Sequence, residues 1–73
     1  MAENKDFNRI KLMLVEKKRT SKWLAERLDK APATISKWCT NSSQPKLDVM
    51  MEIADLLDCD VRELIRVPEA RRR

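Results

Sequence analysis

Between Pro32 and Thr40 the chain sets Ala33, Thr34, Ser36 and Lys37 around two large apolar residues, Ile35 and Trp38. At helical spacing Ile35 and Trp38 share one face and the other four point away from it. Side chains this small let a helix enter the major groove of a DNA duplex without steric conflict, and their hydroxyl and ammonium groups can bond to base edges. A helix built only for solubility more often carries Glu and Lys on such a face. Just upstream, Leu24, Ala25 and Leu28 form a second apolar stripe of the same period, and Asp29-Lys30-Ala31 separates the two. Two short amphipathic helices joined by a turn, the second outwardly small and basic, have the pattern of a DNA-reading helix-turn-helix.

The remaining elements must hold that pair in place. Asp6 is positioned to cap a first helix from Phe7 to about Lys17, whose inner face is Phe7, Ile10, Met13 and Leu14 with the stem of Lys17 alongside. Lys17, Lys18 and Arg19 then lie at the helix end that favours cations, either as a solvated helix end or as a DNA contact. Thr20 or Ser21 caps the second helix, which runs to about Leu28. Pro32 falls in the first turn of the third, where its missing N–H would be unpaired anyway. That helix ends near Thr40, and Asn41 takes the left-handed position glycine usually fills. The chain has no glycine, so every such corner falls to Asn, Asp or Lys. After the loop 41–45, a fourth helix from about Leu47 to Leu57 buries Met50, Ile53, Ala54 and Leu57. Asp60 and Glu63 have capping-box spacing, with Cys59 and Leu64 as the hydrophobic pair around it, and mark a short fifth helix. Val61, Leu64 and Ile65 close the core. The expected fold is all-α, five helices around one core, with residues 1–6 a flexible N-terminus, 7–66 the domain and 67–73 a basic tail.

The bulk numbers narrow the function. Seventy-three residues make one domain with no room for a deep substrate cleft. Sixteen Lys and Arg against twelve Asp and Glu give a net charge of +4, which suits a polyanionic partner. There is no histidine and no glycine-rich phosphate loop, and Cys39 and Cys59 have no companions to complete a metal site. The chain is therefore expected to be no enzyme and to carry no metal or cofactor, and its cysteines to be reduced thiols of a cytoplasmic protein that joins the nucleoid when bound to DNA. The longest apolar run, Leu12 to Val15, is far short of the ~20 residues that cross a bilayer, so no membrane partner is expected.

In order and spacing the chain resembles the lambda-repressor-like, Cro/repressor-type (XRE) helix-turn-helix domains. Thr20, Leu24-Ala25, Thr34-Ile35-Ser36, Trp38, Pro45, Ile53-Ala54 and the closing Leu64 stand in that family's register, over about Ile10 to Ile65. Three departures accompany the match. Ser21 replaces the glutamine that in relatives braces a phosphate and the recognition helix. Asp29 and Asn41 occupy the two family glycines. Leu14 and Cys39 stand where many relatives join helix one to the end of helix three by a buried Arg–Glu ion pair. Losing one such charge would strand the other at about 3–5 kcal/mol, whereas losing both together costs little. Cys39 is accordingly read as a packing residue.

The resemblance implies a sequence-specific double-stranded DNA-binding regulator of transcription, of bacterial or phage type, with helix three in the major groove and a homodimer on an inverted repeat. Ala33 then meets a thymine methyl, Thr34 a base edge or a phosphate, and Lys37 the O6 and N7 of guanine. Ser36 reads a base edge or bonds back to its own helix carbonyls. Ser21 and Lys22 hold phosphate at the start of helix two. Asn41, Ser42, Ser43 and Gln44, with Lys46 nearby, hold the backbone on the other side, although turn chemistry alone accounts equally for each loop residue. Trp38 belongs to the core and Trp23 is half-buried. Leu12, Val15, Val49 and Met51 fall outside the core stripes and suit a second copy. They equally suit the alternative function, an antitoxin-type module whose partner is a toxin-like protein.

Overall fold

The computed structural model describes residues 7–66. Among them are four α-helices: α1 (Ile10–Glu16), α2 (Ser21–Leu28), α3 (Pro32–Cys39) and α4 (Leu47–Leu56), followed by a 3-10 turn, Val61–Leu64. The expected flexible N-terminus, the expected Asp6 cap and the expected basic tail lie outside the described residues.

Local signals set most helix ends where the sequence puts them. The Thr20 hydroxyl accepts from the Trp23 amide at 3.0 Å and starts α2. Pro32 opens α3 at its first turn, and α4 spans its expected range to within a residue. Ile10, Met13, Leu14, Leu24, Ala25, Leu28, Ile35, Trp38, Met50, Ile53, Ala54, Leu57 and Leu64 form one continuous core. α2 packs chiefly on α3, and α4 packs on the 3-10 turn.

Each α-helix ends the same way, and none uses glycine. Lys18, Asp29, Asn41 and Asp58 have φ of 60°, 56°, 61° and 54°. The residue after each donates its amide back over the helix end: Arg19 to Leu14, Lys30 to Ala25, Ser42 to Lys37 and Cys59 to Ala54, all at 2.8–2.9 Å. This is the Schellman pattern, built on residues that pay a steric cost for the left-handed region. Lys18 has the weakest excuse, since its side chain is long and makes no local bond like that of Asn or Asp. Lys18→Gly is expected to raise stability by about 0.5–1 kcal/mol, net of the unfolded-state entropy glycine adds. A thermal melt reads this as a midpoint a few degrees higher. Asn41→Gly should instead lower it, because that side chain holds the structure together as described below.

The chain ends depart from expectation. Helix one starts at Ile10 and not at Phe7, because residues 7–9 run extended against the other end of the domain. Asn8 forms an antiparallel bridge with Ile65, the Arg9 amide donates to the Leu64 carbonyl at 2.8 Å, and the Arg66 amide donates to the Phe7 carbonyl at 3.1 Å. Phe7 is consequently 58% exposed rather than part of the inner face. Lys17 is exposed too, its ammonium donating to the Asp58 carbonyl at 3.4 Å. At the other end the capping box forms: the Asp60 amide donates to the Glu63 carboxylate at 3.0 Å, and the Arg62 amide donates to Asp60 Oδ1 at 2.9 Å. The Arg62 side chain beside it holds the Asp60 carboxyl down at about 2. What this box starts is a four-residue 3-10 turn, not a fifth α-helix. Ile65 turns extended to meet Asn8, which ends the turn and leaves its side chain exposed, so Leu64 with half-buried Val61 closes the core without it.

Candidate nucleic-acid interface

The face of α3 opposite the core is built as its composition requires. Ile35 and Trp38 are buried against α2, and Ala33, Ser36 and Lys37 are exposed, with Thr34 half-buried at their edge. Ala33, Ser36 and Lys37 are spaced three and four apart, so they make one row along the helix. Among the described residues the Ser36 hydroxyl makes no hydrogen bond. It is the Thr40 hydroxyl that bonds back into α3, to the Ser36 carbonyl at 3.1 Å and the Lys37 carbonyl at 3.3 Å. Ser36 therefore keeps its donor and acceptor facing outward.

Ser21 and Lys22 are exposed at the start of α2. Thr20 caps the Trp23 amide, which leaves the Ser21 and Lys22 amides as the open donors of the helix start, at the positive end of its dipole. Across α3, Ser42 and Ser43 wrap the helix end through their backbone, both amides donating to the Lys37 carbonyl, at 2.8 and 3.3 Å. Their side chains are exposed, as is Lys46 at the start of α4. The Ser42 hydroxyl pairs with that of Thr40 at 2.9 Å.

Asn41 and Gln44 are engaged differently from the serines. Asn41 Oδ1 accepts from the Phe7 amide at 2.9 Å, the Asn8 amide at 3.0 Å and Gln44 Nε2 at 3.0 Å. Asn8, 5% exposed, completes the cluster. Its Nδ2 donates to the Trp38 carbonyl at 3.0 Å and to Gln44 Oε1 at 2.6 Å, and its Oδ1 accepts from the Ile10 amide at 3.0 Å. Asn8 thus holds the first amide of α1, takes up the last turn of α3 and fixes the loop after it. Sequence reading passed over Asn8 entirely. The only local hint was a short polar side chain two residues before a helical stripe, and Asp6 offered the same chemistry. Asn8→Ala should cost about 2 kcal/mol in urea unfolding, because it strands a buried carbonyl and a helix-start amide.

Between α1, α2 and α3 runs a groove of about 290 Å³ lined by Leu14, Cys39, Lys11, Arg19, Ser21 and Ser36, among others. Leu14 and Cys39 both line it. Both cysteines are free and half-buried, and burial pushes both thiols up, that of Cys39 against the opposing pull of Lys11. Cys39 is a neutral packing thiol, which agrees with its reading from the sequence.

The sequence profile of the Cro/C1-type HTH DNA-binding domain matches residues 9–70. A crystal structure of a candidate DNA-binding protein from Bacteroides fragilis is 53% identical, covers 82% of this chain and 97% of its own, and superposes with a TM-score of 0.82. No curated protein matches the chain. Among the described residues no helix is long and apolar enough to cross a membrane. With the profile spanning nearly the whole chain and α2–turn–α3 formed as its motif demands, the chain belongs to the Cro/C1-type helix-turn-helix DNA-binding domains.

Proposed function

We propose that this domain is a sequence-specific regulator of transcription that reads double-stranded DNA with α3 in the major groove and binds an inverted repeat as a homodimer. The observation that carries the reading is the exposed row Ala33, Ser36 and Lys37 on a helix whose other face is locked into the core by Ile35 and Trp38. In this reading Ala33 packs on a thymine methyl, Ser36 and Thr34 bond at base edges or the nearest phosphate, and Lys37 donates to guanine O6 and N7. Ser21 and Lys22 bind phosphate on one side, and Ser42, Ser43 and Lys46 on the other. Asn41 and Gln44 serve the same backbone contact by holding the loop at the height at which those serines reach it.

Selection from a randomised duplex pool near physiological salt tests this. An enriched inverted repeat with half-sites about one helical turn apart supports it. Absence of enrichment, with binding that collapses as salt rises, leaves only counterion release and refutes it. A second reading, an antitoxin-type module for a toxin-like protein, draws on the exposed apolar side chains Leu12, Val15, Leu47 and Met51. Val49, also expected outside the core stripes, is half-buried and adds nothing to it.

A further inference from the structure

A row of basic and aromatic side chains starts just ahead of α2 and runs along it, with only its central tryptophan packed on the core. Arg19, Trp23 and Arg27 recur every fourth residue, and both guanidiniums lie against one indole: Arg19 Cζ is 4.7 Å from the ring centre and Arg27 Cζ is 5.6 Å from it. Trp23 is half-buried and packed on the core, so its ring is a fixed plate and not a mobile one. The backbone of Arg19 is equally fixed. It follows left-handed Lys18, and its amide donates to the Leu14 carbonyl at 2.8 Å. Arg19 also lines the groove it shares with Ser21, at the start of α2, and Ser36, on the outward face of α3. A guanidinium there stands at the border of any duplex that α3 enters. An unstacked arginine would lose rotamer freedom on touching a phosphate, whereas this one has given up that freedom already.

We propose that Arg19 is a DNA phosphate contact and that Trp23 is its positioning residue, the indole holding the guanidinium at the edge of the interface before DNA arrives. This rests on the DNA-binding reading of the α3 face. It adds a cation from outside the helix-turn-helix pair and gives a half-buried tryptophan a role in affinity besides packing. Arg27, farther from the ring centre, braces the indole from the other end of the row.

The test is the affinity of the full chain for its selected duplex and for random duplex across a salt series. Arg19→Ala should weaken both duplexes by the same factor, about five-fold per protomer bound, and reduce the salt slope by about one per protomer bound. Trp23→Leu, which leaves the charge unchanged, should lose about two- to five-fold, the equilibrium factor of an exposed cation–π contact. The double variant should bind no more weakly than Arg19→Ala alone. Trp23→Phe keeps a ring, protects the fold and should fall between wild type and Trp23→Leu. An unchanged salt slope in Arg19→Ala, or losses that add in the double variant, overturns the proposal while leaving DNA binding intact. A wild-type chain that binds no duplex overturns the underlying reading and this proposal together.

Discussion

Lys37→Ala is expected to flatten base preference at one position of each half-site by about ten-fold or more, while the protein still folds and still binds random duplex nearly as well. A lysine reaching O6 and N7 of guanine distinguishes that base by about 1–3 kcal/mol, and the alanine left behind has no donor to distinguish anything. The fold should not register the change, because Lys37 is exposed and the bonds that close α3 use its carbonyl and not its side chain. Repeating the pool selection with the variant measures it directly. An unchanged consensus would remove Lys37 from the base-reading set and shift the weight of specificity to Thr34 and Ser36.

The second large effect concerns stability. Leu14→Arg is expected to destabilise the domain by about 3–5 kcal/mol, and adding Cys39→Glu to recover most of that loss. Leu14 is 3% exposed, so the single change removes apolar burial and places a guanidinium beside a neutral thiol. The groove that both residues line gives the restored pair its room. Against the few kcal/mol a core of this size supplies, the single variant should be largely unfolded at room temperature and the double largely folded. Circular dichroism of the two in a urea series decides it. A double variant no more stable than the single would mean that the two positions do not face one another closely enough to pair.

The sequence reached furthest where the determinants are local. The bounds of α2 and α3 follow from the Thr20 cap, from Pro32 at the start of α3, and from Asp29 and Asn41 at the corners, each acting within a few residues of itself. The outward placement of Ala33, Ser36 and Lys37 was legible for the same reason, since 3.6-residue periodicity needs no knowledge of the rest of the fold. Phe7 and Ile65 were misplaced because periodicity assigns apolar residues to a face and cannot see that two chain ends pair in extended form. The capping box at Asp60 was equally plain, but how long the element after it runs was decided by Ile65 and its bridge to Asn8. In the candidate site the same limit hid the engagement of Asn41 and Gln44. Their hydrogen bonds depend on Asn8, which lies more than thirty residues away along the chain.

That distance also sets an order of assembly. The α2–turn–α3 unit closes over a few residues and can form early, whereas the Asn8 cluster joins residues 33 and 36 apart and the bridge to Ile65 spans nearly the whole described chain. Such closures carry the largest loop entropy, so the Asn8 cluster is expected to form last in folding, and amide exchange faster at residues 7–9 than in α2 and α3 would show it. The segment 7–9 is thus the domain's latch. When it lifts, α3 stays packed on α2, while the loop carrying Ser42 and Ser43 loses its anchor. In the proposed reading, grip on the duplex backbone and integrity of the core are therefore held by different parts of the molecule, and the first can fluctuate without the second.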